Sequence, residues 1–417
     1  MEKIQIITTS CTRRELEIEQ MRTYFLRNGY AVSENDFDTD LDADYIILST
    51  CGFTQAAEDF ALKTLERIEN EKKLGCKVLI GGCLPKINGT VVQGYSTFDP
   101  RSYDKLDDFF HVKHRFCEFK RPNIVGEWQI HPTHREHGLM GADESQRDEI
   151  GVKTSKENLK YTQAIADIIR ENNQSTFRIQ CMMGCACNCS YCAIKFAIGK
   201  IESRPVEEIL NDMRRGIEEG YTNFLLEGDS LGAYGLDIGT NLGELLEEVI
   251  NIIERLPVQI SVPDVSPMFL DKCYKQIIRL AQMDKLFNFY IPIQSGSQEV
   301  LDAMRRGYNI QSAVRMIKEI KNACPELKCG TSLIVGFPGE TEEDLEQTIA
   351  ISKEIGFDYI YCHSYSERIG TEASQMDNKV PDYVVLDRAR RLKEKLKPYT
   401  ELLTIAEDTA GNRTCQG

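Results

Sequence analysis

The sequence contains no long apolar run, few histidines (six) and a single tryptophan. No stretch approaches the run of about 20 apolar residues that a membrane helix needs, so a membrane-spanning protein is not expected. The N-terminus, which begins Met1-Glu-Lys-Ile, is too short and too charged for a secretory signal peptide. These absences predict a cytoplasmic protein that does not bind a membrane.

Basic residues are also in short supply. The 417 residues include 50 Lys and Arg against 65 Asp and Glu, which gives a net charge of −15. Nucleic-acid binding depends largely on basic side chains that neutralise phosphates, so this balance makes an RNA partner less expected without excluding it. Apolar residues make up 41% of the chain, enough for folded cores, and the length predicts two or three domains.

The first 95 residues alternate apolar segments with amphipathic ones. The pattern predicts strands at 3–8, 43–50 and 77–82 and helices at 14–28 and 55–72. Strand–helix–strand alternation indicates a parallel sheet with helices on its faces. Residues 1–95 are therefore predicted to form an N-terminal α/β domain.

The rest of the chain divides into three parts. Residues 96–173 are rich in Pro, His, Gly and charge, and are predicted to be a linker or insertion with one helix at 155–170. Residues 174–375 contain six β/α units, which fit a barrel or an open partial barrel better than a doubly wound sheet. Residues 376–417 are predicted to form a helix at 382–397 and a frayed tail.

The six predicted barrel strands lie at 176–180, 223–227, 259–262, 287–293, 328–335 and 359–365. The helices predicted between them lie at 206–219, 242–255, 309–322 and 342–355.

Five cysteines fall in twelve residues just after the first barrel strand: Cys181, Cys185, Cys187, Cys189 and Cys192. Disulfides are disfavoured in the cytoplasm, so metal binding or thiol chemistry is the better expectation.

Cys185, Cys189 and Cys192 form a C-x3-C-x2-C pattern, expected by chance in about 0.02 chains of this length. Zinc sites usually add a second ligand pair, and none follows here. Three thiolates can hold three irons of a [4Fe–4S] cube and leave the fourth open to a small molecule. Cys181 and Cys187 are then read as non-ligands, although another choice among the five is easy to build.

This loop and several later segments resemble one enzyme family. A C-x3-C-x2-C motif with an aromatic residue, here Tyr191, before the last cysteine is the signature of radical S-adenosylmethionine (SAM) enzymes. The segments at 184–192, 201–205, 292–297, 334–341 and 365–371 are similar to those of methylthiotransferases. The resemblance implies an α/β fold: an N-terminal parallel-sheet α/β domain plus a radical SAM (β/α)6 partial TIM barrel. It also implies SAM at the open iron, and an electron donor such as flavodoxin or ferredoxin.

The family also carries a second [4Fe–4S] cluster on three cysteines of the N-terminal domain, which match Cys11, Cys51 and Cys83. Each of these follows a predicted strand, and the carboxyl ends of neighbouring parallel strands converge on one edge of a sheet. Arg14 and Ser49 stand where the family usually has Asn, so the hydrogen bonding around the cluster, and its potential, are expected to differ. The remaining cysteines are expected to be buried or incidental thiols: Cys76, Cys117, Cys273, Cys324, Cys329, Cys362 and Cys415.

The SAM pocket is predicted at the barrel mouth. Glu227, Gly228 and Asp229, at the end of the second barrel strand, resemble the family segment that holds the SAM amino group. Taken alone, such acidic residues are more often solvated loop charges. Three more residues lie in family segments that line the same mouth and are assigned to the SAM or substrate site: Gln294, Ser295 and Arg306.

Five of the six histidines fall in the predicted insertion: His111, His114, His131, His134 and His137. A polar loop is the simplest interpretation. Substrate contact or metal binding by the last three are the alternatives.

The resemblance implies that SAM is used twice: once to methylate a sulfur on the N-terminal cluster, and once to form a 5′-deoxyadenosyl radical. A methylthio group then replaces hydrogen on an unactivated carbon. Only 46 residues follow Thr371, too few for the C-terminal TRAM barrel typical of the family, and Cys51-Gly-Phe resembles the protein-modifying branch. With the acidic charge, these features favour a peptide or protein substrate. A tRNA adenosine is the alternative, and a cluster-bearing sensor or binding protein without turnover is a more distant one. No catalytic side chain is assigned.

Overall fold

The computed structural model describes residues 1–33, 40–125, 176–400 and 402–406. Several predictions fall outside the described residues: the helix at 155–170, the metal site of His131, His134 and His137, and the tail from Asp408. Within the described ranges, no helix is both long enough and apolar enough to cross a bilayer.

The N-terminal sheet has five parallel strands in the order β2-β1-β3-β4-β5. They are β1 (Lys3–Thr8), β2 (Ala31–Ser33), β3 (Tyr45–Thr50), β4 (Lys77–Gly82) and β5 (Ser96–Thr97). Strands β1 and β3 are buried at five consecutive positions, which is typical of a parallel sheet covered on both faces. The three predicted strands are confirmed. The short edge strands β2 and β5 were not predicted, because two or three residues carry too little periodicity.

Helices α1 (Glu15–Arg27) and α2 (Gln55–Glu71) follow β1 and β3, and short helices α3 (Leu84–Ile87) and α4 (Leu106–Phe109) follow β4 and β5. Helix α2 begins at Thr54, whose hydroxyl accepts a hydrogen bond from the Ala57 N–H at 3.2 Å. This cap satisfies one of the free N–H groups of the first turn. The capped helix begins shortly after Cys51, which directly follows the carboxyl end of β3.

The core of this domain extends beyond residue 95. Phe98, Tyr103, Leu106, Phe110 and Phe116 are all buried and pack in one cluster with residues of β1, α1 and β3. Residues 96–173 were predicted to be a linker or insertion, whereas the first part of that range packs into the core of the N-terminal domain. The aromatic residues there lack helical or strand spacing, so the sequence pattern does not reveal that the sheet buries them.

The second sheet has eight strands in the order β13-β12-β11-β10-β9-β8-β6-β7, and only β7 is antiparallel to its neighbour. The strands are β6 (Thr176–Met183), β7 (Glu202–Ser203), β8 (Asn223–Gly228), β9 (Gln259–Val262), β10 (Leu286–Tyr290), β11 (Lys328–Val335), β12 (Tyr359–Ser364) and β13 (Leu402–Ala406). The six predicted β/α strands are all present, and they form an open partial barrel within the described residues.

The helices of the barrel are α5 (Ile194–Ile198), α6 (Val206–Glu218), α7 (Leu242–Ile253), α8 (Tyr274–Gln282), α9 (Gln298–Ala303), α10 (Ile310–Ala323), α11 (Glu342–Ile355) and α12 (Asp382–Leu396). Helix α11 begins with a capping box between Thr341 and Asp344 and ends at Gly356, which has a left-handed φ of 65°. Leucine, isoleucine and valine side chains of these helices pack on the strands in one large core.

Strand β13 corrects the predicted C-terminal region. The stretch after α12 was expected to be a tail, whereas residues 402–406 pair in parallel with β12, from Tyr359↔Leu402 to His363↔Ala406. The sequence Leu402-Leu-Thr-Ile-Ala has strand character, but its partner is supplied only by the exposed edge of β12.

The two domains are joined by ion pairs that are themselves buried. Arg368, after β12, pairs with Glu58 of α2 and also donates to the Gln55 side chain at 2.9 Å. On another side, Arg101 donates to the carbonyl of Ile198 at 2.6 Å. The carboxyl ends of the N-terminal strands are thereby held against the mouth of the barrel.

Candidate functional site

The cysteine loop begins at the carboxyl end of β6. Gly184 has a φ of 83°, and a Cβ there would lie 2.0 Å from the Lys200 carbonyl oxygen, so only glycine fits. Its N–H donates to the Asp229 carboxylate at 2.8 Å. Asp229, at the end of β8, therefore fixes the backbone position from which the cysteine loop starts.

The thiols of this loop interact with one another. The Cys187 N–H donates to Cys185 Sγ at 3.3 Å, and the Cys187 thiol hydrogen-bonds to both Cys185 and Cys189. These bonds are the largest cause that lowers the pKa of Cys185 to about 6 and that of Cys189 to about 5. Burial raises the pKa of Cys192 to about 11. The surroundings of two of the three candidate ligands thus favour their thiolate forms. Cys181, by contrast, lies in the barrel core, as expected of a non-ligand.

Arg306 contacts this loop directly. Its guanidinium lies 3.4 Å from Cys189 Sγ and 3.5 Å from the Tyr191 hydroxyl, and it donates to the Pro292 carbonyl at 2.8 Å and to the Ser266 hydroxyl at 3.3 Å. The attraction of this charge is a further cause of the lowered pKa of Cys189. Arg306 was assigned to the SAM or substrate site, and the structure places it on a candidate cluster thiolate.

The two acidic residues predicted to hold the SAM amino group lie at the barrel mouth, and both are bound by arginines. Glu227 accepts from Arg178 at 2.5 Å, and Arg178 also binds Glu15 of the N-terminal domain at 2.6 Å. Asp229 pairs with Arg14 of the N-terminal domain. Both carboxylates are partnered, with side chains 3% (Asp229) and 17% (Glu227) exposed, so neither is a solvated loop charge. Sequence reasoning did not find these pairings, because nothing local links Arg14 and Arg178 to the end of β8.

The remaining predicted SAM-site residues take different positions. Gly228 is close to Met182, where a Cβ would lie 2.6 Å from Met182 Cγ. Gln294 has a left-handed φ of 70°, a strained conformation that is common at ligand sites. The Ser295 hydroxyl lies 3.2 Å from that of Thr348 on α11. The roles of these residues in SAM binding stay predictions, and for Ser295 the contact with α11 offers a structural explanation.

Cys11, Cys51 and Cys83 follow β1, β3 and β4, which are adjacent in the sheet. The strand ends bring the three side chains near one another: Cys51 hydrogen-bonds to Cys11, Cys83 acts electrostatically on Cys51, and Cys11 acts electrostatically on Cys83. The bond from Cys51 is the largest cause that lowers the pKa of Cys11 to about 6. Burial raises the pKa of Cys83 to about 12, against the attraction of Arg14.

The two cysteine sites face each other across the domain interface. Cys83 and Ile87 pack in one apolar cluster with Ala193 and Ala197, and Ala193 directly follows Cys192. Arg13 also crosses this interface, with its guanidinium 2.5 Å from the Asp264 carboxylate. A substrate atom at the mouth of the barrel would therefore lie beside both cysteine sites.

The donor atoms of both sites fit iron–sulfur chemistry, because thiolates are the usual protein ligands of [4Fe–4S] clusters. Each site offers three cysteines, and each has a cation beside a thiol, Arg306 in one and Arg14 in the other. In the described part of the chain, no three His, Cys, Asp or Glu side chains are arranged to hold a single metal ion.

Comparisons with known proteins agree with both halves of the chain. Residues 179–351 match the model of the radical SAM superfamily, and residues 3–97 match that of the uncharacterized protein family UPF0004. The fold is similar to that of the radical SAM methyltransferase TsrM from Kitasatospora setae, with a TM-score of 0.56, 11% identity and coverage of 89% of this chain and 77% of that one.

Curated relatives extend over nearly the whole chain. A tRNA-2-methylthio-N(6)-dimethylallyladenosine synthase from Clostridium botulinum (strain Eklund 17B) is 30% identical over 93% of this chain and 78% of its own length. The proteins of the same name from Finegoldia magna and Bacillus subtilis are 29% and 30% identical over 94% of this chain, and over 79% and 71% of their own lengths. The chain therefore belongs to the radical SAM methylthiotransferase family, whose members are SAM-dependent enzymes that use two [4Fe–4S] clusters.

Proposed function

We propose that the protein transfers a methylthio group to an adenosine of tRNA. The observation that carries this proposal is the similarity, over 93–95% of the chain, to relatives named for that reaction. This choice reverses the preference that the acidic charge and the Cys51-Gly-Phe segment gave to a peptide substrate. Net charge is an average over the whole surface and does not report on the residues around one site.

In this proposal, Cys185, Cys189 and Cys192 hold one [4Fe–4S] cluster, and Cys11, Cys51 and Cys83 hold the other. When bound, SAM and the clusters supply a 5′-deoxyadenosyl radical and the methylthio group. Glu227, Gly228, Asp229 and Gln294 form the SAM side of the mouth, and a flavodoxin or ferredoxin supplies the electron.

The protein side chains hold and orient these groups. Arg306 donates to Cys189 Sγ and so stabilises negative charge on the first cluster. The interface of Cys83 and Ile87 with Ala193 and Ala197 keeps the two cysteine sites side by side. Proximity of this kind directs a reactive radical to one hydrogen, because other hydrogens are not within reach.

A peptide substrate is the second candidate, and one observation favours it. Phe53, in the segment that resembles the protein-modifying branch, is 38% exposed, and its N–H donates to Cys51 Sγ at 3.4 Å. Its ring packs edge-on against His363 of β12. An exposed aromatic ring beside a candidate cluster ligand offers an apolar surface for a peptide side chain.

The test is to incubate the reduced, cluster-loaded protein with SAM labelled on its methyl group and with separate pools of tRNA and peptides. Label in an adenosine of tRNA is the expected result. Label only in peptides would overturn the tRNA proposal in favour of the second candidate. Intact clusters without any 5′-deoxyadenosine would instead indicate a protein without turnover.

A further inference from the structure

The segment that follows Cys11 carries a buried arginine between the two cysteine sites. The Arg14 side chain is 4% exposed. One of its nitrogens donates to Glu17 at 2.7 Å, and the other pairs with Asp229 of the barrel. A buried guanidinium with two carboxylate partners has a fixed position, because a move that left any of the three buried charges unpaired would be strongly unfavourable.

The partner of Arg14 reaches the second cysteine site. Asp229 Oδ1 takes the bond from Arg14, while Oδ2 accepts the N–H of Gly184, one residue before Cys185. On its other side, the Arg14 backbone N–H donates to the Cys11 carbonyl at 2.9 Å, which places Arg14 next to the first N-terminal cysteine, and its charge attracts the thiols of Cys11 and Cys83. A continuous path of one cation and one anion therefore runs from the N-terminal cysteines to the start of the radical SAM loop.

We propose that Arg14 is a positioning residue that couples the two cluster sites and raises the reduction potential of the cluster held by Cys11, Cys51 and Cys83. This inference rests on the proposed ligand assignment and goes beyond it. Reduction adds one negative charge to a cluster. A buried cation nearby stabilises that charge, since interactions are weakly screened in the interior. Removing Arg14 would also leave Asp229 with one partner fewer and push the potential further down.

The sequence singles out this position independently, because Arg14 stands where the family usually has Asn. Asparagine can donate hydrogen bonds but carries no charge. Arg14→Asn is therefore the informative substitution, since it supplies the usual family residue. Arg14→Lys keeps the charge without the forked geometry of the guanidinium.

The test measures the midpoint potential of the N-terminal cluster by EPR-monitored redox titration. The full chain carries Cys185→Ala, Cys189→Ala and Cys192→Ala, so that only this cluster contributes. The expected result is that Arg14→Asn lowers the potential by at least 59 mV, a tenfold change in a one-electron equilibrium. Arg14→Lys is expected to recover most of the shift.

Arg368→Gln is the matched control, because Arg368 is also a buried arginine that pairs across the interface, but with Glu58. It is expected to leave the potential unchanged. An equal shift in Arg368→Gln would assign the effect to loosened docking and overturn the proposal, as would an unshifted Arg14→Asn. A chain that binds no cluster in this background would refute the ligand assignment itself, which separates that failure from failure of the inference.

Discussion

The two cysteine sites are built in different ways from the same residue type. In the barrel, Cys185, Cys189 and Cys192 lie within one loop after β6, and the spacing of eight residues already limits where the thiols can be. In the N-terminal domain, Cys11, Cys51 and Cys83 are spread over 73 residues and meet only because β1, β3 and β4 are neighbours in a parallel sheet. The first site depends on local backbone geometry, whereas the second depends on sheet register.

The arginines beside the two sites also differ in which domain supplies their partners. Arg306 reaches Cys189 from within the barrel, and its other partners, Ser266 and Pro292, belong to the barrel as well. Arg14 lies next to the N-terminal cysteines, and one of its two carboxylate partners, Asp229, belongs to the other domain, while Glu17 belongs to its own. The cation at the barrel thiols is therefore held by the barrel alone, whereas the cation of the N-terminal site is held partly by the other domain.

The largest effect is expected at the barrel site, where Cys185, Cys189 and Cys192 lie in one loop. Cys189→Ala removes one of the three proposed ligands of this cluster, and the proposed ligand set contains no cysteine that could replace it. We expect iron to fall from about eight to about four per chain, since each [4Fe–4S] cluster carries four. Production of 5′-deoxyadenosine should be lost. Cys187→Ala is the matched control and should retain both; loss of iron from that variant would show that the ligand set of the loop is different.

Substitution at the N-terminal site of Cys11, Cys51 and Cys83 should separate SAM cleavage from methylthio transfer. Cys83→Ala is expected to lower iron to about four per chain, while SAM cleavage continues and no methylthio product forms. Iron analysis, with 5′-deoxyadenosine and product measured by mass spectrometry, checks this. Cys76→Ala is the control, since Cys76 is buried just before the opposite end of β4. Equal loss of SAM cleavage in Cys83→Ala would mean that the two sites do not operate independently.

A smaller effect is expected from the cation of the barrel site. Arg306→Met removes the charge and the hydrogen bond at Cys189, and losses of about 10–100-fold are usual when such a partner of a metal ligand is removed. The initial rate of 5′-deoxyadenosine formation measures it. Arg305→Met is matched in sequence but exposed, with its guanidinium bound to Glu372, and should keep the rate. Similar rates for the two variants would contradict a role for Arg306 at the cluster.

The smallest effect is expected from the ion pair between Arg368 and Glu58, which joins the two domains. Glu58→Gln keeps a hydrogen-bond acceptor for Arg368 but removes the buried charge, so the free energy of unfolding should fall by about 2 kcal/mol. The midpoint of urea unfolding measures the change. Glu66→Gln, on the exposed face of the same helix, should leave the midpoint unchanged. If both variants unfold alike, the ion pair does not stabilise the interface.

Much of the fold was predictable because its signals are local. The apolar runs of β4 and β11 and the helix of α11 were located to the residue, since periodicity and caps specify them. The aromatic residues from Phe98 to Phe116 were misassigned, because they are irregular in sequence and become core only against α1. Strand β13 was missed for a similar reason, as its pairing depends on the free edge of β12.

The sequence by itself determined the chemistry: the C-x3-C-x2-C loop and the family segments after it specify a radical SAM enzyme, since ligand spacing within one loop is a local property. Strand-end placement also predicted the meeting of Cys11, Cys51 and Cys83. Only the tertiary structure decided which charges surround the two sites. Arg14, Arg178 and Arg306 lie far in sequence from Asp229, Glu227 and Cys189, and only packing of the two domains and of the barrel loops brings opposite charges together where water is excluded.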